Sequence, residues 1–128
     1  MTTNLERIVD GDGHINEDLA AISEFLPPKF RDNPARLLNA SLFPALDHLH
    51  GGHFVETPGR RDRGAALVGP AEWEVFLREV GIDSTVLYPT KGLGFGKIVS
   101  RDWSIAVARA YNDWLHSTYL ARSPRFKG

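Results

Sequence analysis

The stretch Gly81-Ile82-Asp83-Ser84-Thr85-Val86-Leu87-Tyr88-Pro89 decides how this chain is read. Thr85 and Val86 are β-branched, nearly every side chain from Ile82 to Tyr88 can be buried, and Pro89 closes the run. That composition predicts a strand over 82–88 with few exposed positions, the kind found in a parallel sheet covered on both faces. On its N-terminal side, Pro70 suits a first helical turn, and Trp73, Phe76, Leu77 and Val80 fall at i, i+3, i+4 and i+7, one stripe of a helix. Gly81 then ends that helix as a C′ glycine. On its C-terminal side, Thr90 to Val99 is a glycine-rich loop, and Ser100 is a good N-cap with Asp102 in the first turn. The helix that follows carries Trp103, Val107, Tyr111, Trp114 and Thr118 on one stripe and ends before Pro124.

Further upstream, Leu5 to Asp10 reads as a strand cut off by a tight turn at Gly11-Asp12-Gly13. Residues 15–69 are broken by Pro27-Pro28, Asn33-Pro34, Pro44, Gly51-Gly52 and Thr57-Pro58-Gly59, the texture of a loop-rich functional insertion. Short helices are expected inside it at 18–25 and 35–42. The order strand, insertion, helix, strand, loop, helix implies βαβ units and a parallel α/β sheet. The chain therefore divides into a first strand with its motif (1–14), an insertion (15–69) and a helix-strand-loop-helix unit (70–128).

Composition bounds the function classes. With 128 residues, 42% apolar and 24% charged, the chain suits one soluble globular domain. A net charge of −1 supplies no field to draw it onto nucleic acid or an anionic membrane. The absence of cysteine excludes disulfides, thiolate metal ligands and a cysteine nucleophile. No apolar run approaches the ~18 residues of a membrane span, and the first residues lack a signal core. A cytoplasmic protein is expected.

Chemistry concentrates at Val9-Asp10-Gly11-Asp12-Gly13-His14-Ile15-Asn16-Glu17, just past the end of a strand, where βα proteins place their sites. In extended backbone Asp12 and His14 point the same way and can share one metal ion. A carboxylate oxygen with an imidazole suits Zn²⁺, Mn²⁺ or Fe²⁺, and Zn²⁺ is the commonest. The competing reading is an Asp-Gly turn with a surface histidine. The sixth position of an EF-hand loop would be Ile15 instead of glycine, so calcium of that kind is excluded.

Asp47-His48-Leu49-His50-Gly51-Gly52-His53 holds three of the five histidines: His48 and His50 alternate, with His53 nearby, a pattern suited to metal binding, to acid–base work or to contact with substrate. A solvated histidine cluster is the alternative. Lys91-Gly92-Leu93-Gly94-Phe95-Gly96-Lys97 fails both the P-loop and the dinucleotide templates, and reads as a flexible lid or substrate loop, or else a plain connector.

In their order and spacing, five stretches resemble the amidohydrolase-related family of the metal-dependent amidohydrolase superfamily, in its aminocarboxymuconate-semialdehyde decarboxylase-like branch. They are Val9 to His14, Phe25 to Asp32, Gly81 to Pro89, Ala110 to Leu115 and Ser123 to Gly128. The resemblance implies the N-terminal part of a (β/α)8 TIM-type barrel: two βα units and the start of a third strand. A full barrel of this type takes ~250 residues, about twice this length. It also implies metal ligands at the first-strand motif, where this chain has Asp12 and His14 in place of two alternating histidines.

The expected function is then metal-dependent hydrolysis or non-oxidative decarboxylation of a small, carboxylated organic substrate. A divalent ion at Asp12 and His14 polarises a substrate oxygen or lowers the pKa of bound water. Glu17 orients His14 or handles a proton, and His48, His50 and His53 face the substrate. Two ligands do not complete a catalytic site, so the 128-residue chain alone is expected to be inactive and to need a homo-oligomer or a completing chain segment. The reading from another class is a non-catalytic fragment that acts only through self-association or a partner chain.

Overall fold

A computed structural model describes residues 7–32, 42–44 and 68–128. The helix expected over 35–42, apart from Leu42, and the histidines His48, His50 and His53 lie outside the described residues.

Three parallel strands form one sheet in the order of the chain: β1 (Val9–Ile15), β2 (Ser84–Pro89) and β3 (Phe126–Lys127). Helix α1 (Leu19–Glu24) follows β1, with Asp18 as its N-cap: the Asp18 carboxylate accepts a bond from the Ala21 N–H at 3.0 Å. The single turn α2 (Pro28–Arg31) comes next, and α3 (Pro70–Glu79) leads into β2. Gly81, at φ +74°, closes α3 in the left-handed conformation expected of a C′ glycine, and Ile82 N–H bonds back to Leu77 at 2.9 Å. After β2 the chain winds through 3₁₀ turns (Lys91–Lys97). It continues as α4 (Arg101–Leu115) and one π-helical turn (His116–Leu120) before β3.

The predicted neighbours are thus in place: Val9 pairs with Ser84 and Asp10 with Thr85, in parallel. This is an α/β architecture with a small parallel sheet. The N-terminal ends of the strands are tied by two side chains. Asp83 accepts from Ile8 N–H at 2.7 Å, and the Arg125 guanidinium donates to the carbonyls of Asp83 (3.0 Å) and Ile82.

Ile15, Leu87 and Phe126 supply the buried side of the sheet, covered by Ile22, Leu77, Val107, Ala110 and Trp114. Two expectations are corrected, and the burial of α3 is added. The first strand does not stop at Asp10; it runs through Gly11-Asp12-Gly13 to Ile15, because a bulge lets the glycines stay within the pairing. Among the described residues the sheet is covered on one face: on the other, Tyr88 is 44% exposed and Val9 57%. Only Leu77 of the α3 stripe is fully buried, whereas Phe76 and Val80 stay about half exposed.

Candidate metal centre

The bulge creates the site. Asp10 is opposite Thr85 and Gly13 opposite Leu87, so two residues of β1, Gly11 and Asp12, face the single residue Val86. Without the extra residue, Asp10, Asp12 and His14 would all lie on one face. With it, Asp10 turns to the Thr85 side and accepts that hydroxyl at 2.7 Å, while Asp12 and His14 share the open face. Gly13 occupies the crowded side: a Cβ there would land on the Thr85 hydroxyl and sit 2.9 Å from the Val86 carbonyl oxygen.

Asp12 Oδ1 and His14 Nε2 are 3.4 Å apart, with side chains 87% and 39% exposed. Two donors bound at ~2.0–2.1 Å to one tetrahedral ion sit about 3.3 Å from each other, so this pair has the separation of adjacent ligands. The other ring nitrogen of His14 is held at 3.0 Å from the Pro89 carbonyl oxygen. A carbonyl only accepts, so Nδ1 carries a proton there, and the neutral tautomer that this contact selects has its lone pair at Nε2. A backbone carbonyl behind a ligand histidine is a common way to fix tautomer and ring direction. Tyr88 flanks the ring, with centroids 6.2 Å apart.

Glu17 is fully buried at 0% exposure. Its Oε2 accepts the Lys91 N–H at 2.9 Å and its Oε1 the Gly92 N–H at 2.7 Å, and the Lys91 ammonium reaches the Glu17 carbonyl at 3.4 Å. The glycine-rich stretch, read as a flexible lid or substrate loop or else a plain connector, is wound into 3₁₀ turns and held at its start by Glu17, with Gly92 and Gly94 buried. Asp12, His14, Glu17 and the 3₁₀ turns all meet at the C-terminal end of β1 and β2. His48, His50 and His53 are not placed, and among the described residues no group of three or more His, Asp or Glu side chains is arranged to hold a metal. Thr85 and the Pro89 carbonyl were not singled out in the sequence. Thr85 reads there as an ordinary strand residue, and a backbone carbonyl carries no residue-type signal at all.

Beside the 3₁₀ turns lies a cavity of about 270 Å³ bordered by Phe43, Phe95, Gly92 and Tyr111. The Tyr111 hydroxyl is buried without a hydrogen-bond partner among the described residues. Burial first, then the negative charge of Glu17, then Tyr119, push this phenol above its ordinary 10.0. Tyr119 is raised in the same direction by burial, Glu72 and Glu17. A raised folded-state value means that the contribution is fully present below pH 10 and is lost as pH rises above it, where only unfolded chains release the proton freely. The expected result is a loss of stability beginning above pH 10 that is shallower in Tyr111→Phe. Urea midpoints measured from pH 8 to 11 check it, and parallel curves for the two proteins would contradict it.

No protein-family model matches this chain, and no curated protein sequence matches it. Among the described residues, no helix is long and apolar enough to cross a membrane.

Proposed function

We propose that this chain forms the first strands of a metal-dependent (β/α)8 barrel enzyme, a hydrolase or non-oxidative decarboxylase acting on a small, carboxylated organic substrate. The observation that carries the proposal is the Asp12–His14 pair, 3.4 Å apart on the face of the parallel sheet where Val9 and Tyr88 are exposed. In a closed barrel that face becomes the lumen, and the C-terminal ends of the strands become the mouth. The sequential strand order β1-β2-β3 suits a barrel, which adds strands in chain order.

Asp12 and His14 would hold a divalent ion, Zn²⁺ being the commonest for these donors, with Mn²⁺ and Fe²⁺ compatible. Once bound, such an ion supplies Lewis-acid polarisation of a substrate oxygen and a lowered pKa for water. The residues of this chain do the rest. The Pro89 carbonyl, by accepting Nδ1–H, sets the tautomer in which a neutral His14 ring offers its lone pair at Nε2, and Tyr88 walls the ring on one side. The remaining ligands and the substrate contacts of His48, His50 and His53 belong to the same proposal.

Two protein donors give weak binding. We expect Co²⁺ or Zn²⁺ titrated into the purified chain to bind with Kd at or above ~10 µM, about −7 kcal/mol or weaker. His14→Ala should abolish this binding, and Asp12→Asn should weaken it about tenfold. Binding indifferent to both substitutions would remove the pair from the proposal, and submicromolar binding by a monomer would show a complete site in this chain alone.

The second reading, a non-catalytic fragment working by self-association or through a partner chain, is favoured by one feature. Ile8 and Val9 at the start of β1, with Val75 and Phe76 on α3 and Val80 at its C-cap, leave apolar side chains 42–57% exposed. Metal titration combined with light scattering separates the two. Binding lost in His14→Ala supports the enzyme reading, and self-association without His14-dependent binding supports the fragment.

A further inference from the structure

We propose that Glu17 is a positioning residue for His14, acting through the backbone of Lys91 and Gly92 and the Pro89 carbonyl. The proposal rests on the reading above, in which His14 Nε2 is the ligand atom, and adds what holds that atom in place.

The connection is a closed circuit of short links. Glu17 lies three residues after His14, and its carboxylate takes the N–H groups of Lys91 and Gly92 at 2.9 and 2.7 Å. Those amides lie two and three residues after Pro89, whose carbonyl oxygen receives His14 Nδ1–H at 3.0 Å. The chain between His14 and Glu17 completes the loop. Each side thus limits where the other can go: the end of β1 cannot shift against the end of β2 without breaking a bond to a buried carboxylate.

Burial makes the latch firm. A carboxylate with 0% exposure must have its acceptors satisfied from within the protein, and here each oxygen takes one backbone N–H. Charge-assisted bonds of this kind are roughly twice as strong as neutral ones. The fit also excludes bulk at the other partner. A Cβ on Gly92 would sit 2.6 Å from Pro89 Cβ and 3.2 Å from Glu17 Oε1. Gly92 is therefore the residue that permits both contacts. This arrangement employs the Glu17 oxygens as acceptors of fixed backbone donors and leaves no solvent path to them. That suits orientation of His14 better than proton transfer to a substrate.

The test uses the full chain and three readouts. Long-range ¹H–¹⁵N correlation of the imidazole in mildly alkaline buffer reports the His14 tautomer, amide exchange reports the Lys91 and Gly92 N–H groups, and Co²⁺ titration reports the ligand function. In the wild type we expect the Nδ1–H tautomer and slow exchange at Gly92. Glu17→Gln keeps the size but sets an amide N–H against a backbone N–H. It should speed exchange at Gly92 at least tenfold, mix the His14 tautomers and weaken Co²⁺ binding about tenfold, as loss of an outer-shell partner does. If Glu17→Gln does not fold, Gly92→Ala disturbs the latch from the other side and should produce the same three changes.

Faster exchange with an unchanged tautomer would overturn the proposal, leaving Glu17 a purely local loop anchor. An Nε2–H tautomer in the wild type would overturn it as well. Absence of Co²⁺ binding in the wild type would instead count against the metal reading, and the tautomer and exchange data would still decide the latch.

Discussion

Gly13→Ala is expected to destabilise this protein by about 3 kcal/mol, at the upper end of what overpacking costs. The added Cβ has nowhere to go. It would land on the Thr85 hydroxyl, which is bonded to Asp10, and lie 2.9 Å from the Val86 carbonyl oxygen, which is backbone and cannot swing aside. Relief requires β1 and β2 to separate at the bulge, the point on which the placement of Asp12 and His14 depends. Alanine also narrows the unfolded ensemble, which returns roughly 0.4–1 kcal/mol and is included in that figure. Gly11 offers the internal control: a Cβ there meets nothing within 4 Å, so Gly11→Ala should change stability by no more than about 0.5 kcal/mol. Urea unfolding followed by tryptophan fluorescence measures both. Equal midpoints for the two variants would mean that the bulge tolerates a side chain and that the packing argument for Gly13 fails.

Trp114→Ala should cost about 3–5 kcal/mol, the range for deleting a large buried aromatic side chain. Trp114 is 3% exposed and stands at the centre of an aromatic run. Its ring lies 5.9 Å from that of Tyr111 and 5.7 Å from that of Tyr119, and Tyr119 in turn lies 6.0 Å from Phe126. Such pairs add about 0.5–1.5 kcal/mol each beyond area burial. The run carries packing from α4 through the π-helical turn to β3, a strand of two residues with little pairing of its own. Loss of Trp114 should therefore release β3 first, seen as early amide exchange at Phe126 and Lys127, and then lower the global midpoint. Phe76→Ala, at a position 48% exposed, should cost about 1 kcal/mol or less, in line with a half-exposed ring. A similar loss for both rings would show that exposure on α3 is not a guide to its packing.

Much of the fold was legible because local rules and tertiary packing agree over residues 70–128. Pro70 and Gly81 bound a helix whose ends are set by a missing N–H and a positive φ, both properties of single residues. The run from Ser84 to Pro89 is a strand for reasons of side-chain shape, and Val107 and Trp114 are buried because helical period places them together. The candidate ligands were also legible: Asp12 and His14 alternate in extended chain, and extended chain is what β1 is.

What the tertiary structure alone decided is which face each residue takes and what it touches across long separations. A one-residue bulge reverses side-chain direction, and nothing in Asp10-Gly11-Asp12-Gly13 by itself says where it falls; the register against Thr85 and Leu87 does. The same holds for Glu17. As a residue type it fits a proton carrier, but it lies 74 and 75 positions from the amides it binds, and only packing brings β1 and the 3₁₀ turns together. The glycines of the 91–97 stretch suggested a flexible lid or a connector; the structure adds that a Cβ on Gly92 would meet the Pro89 ring and the Glu17 carboxylate, and one on Gly94 the Pro44 carbonyl. Sequence pattern reports period and propensity, which are local; register, burial of charge and close approach are set by the partner segment, and those placed the site.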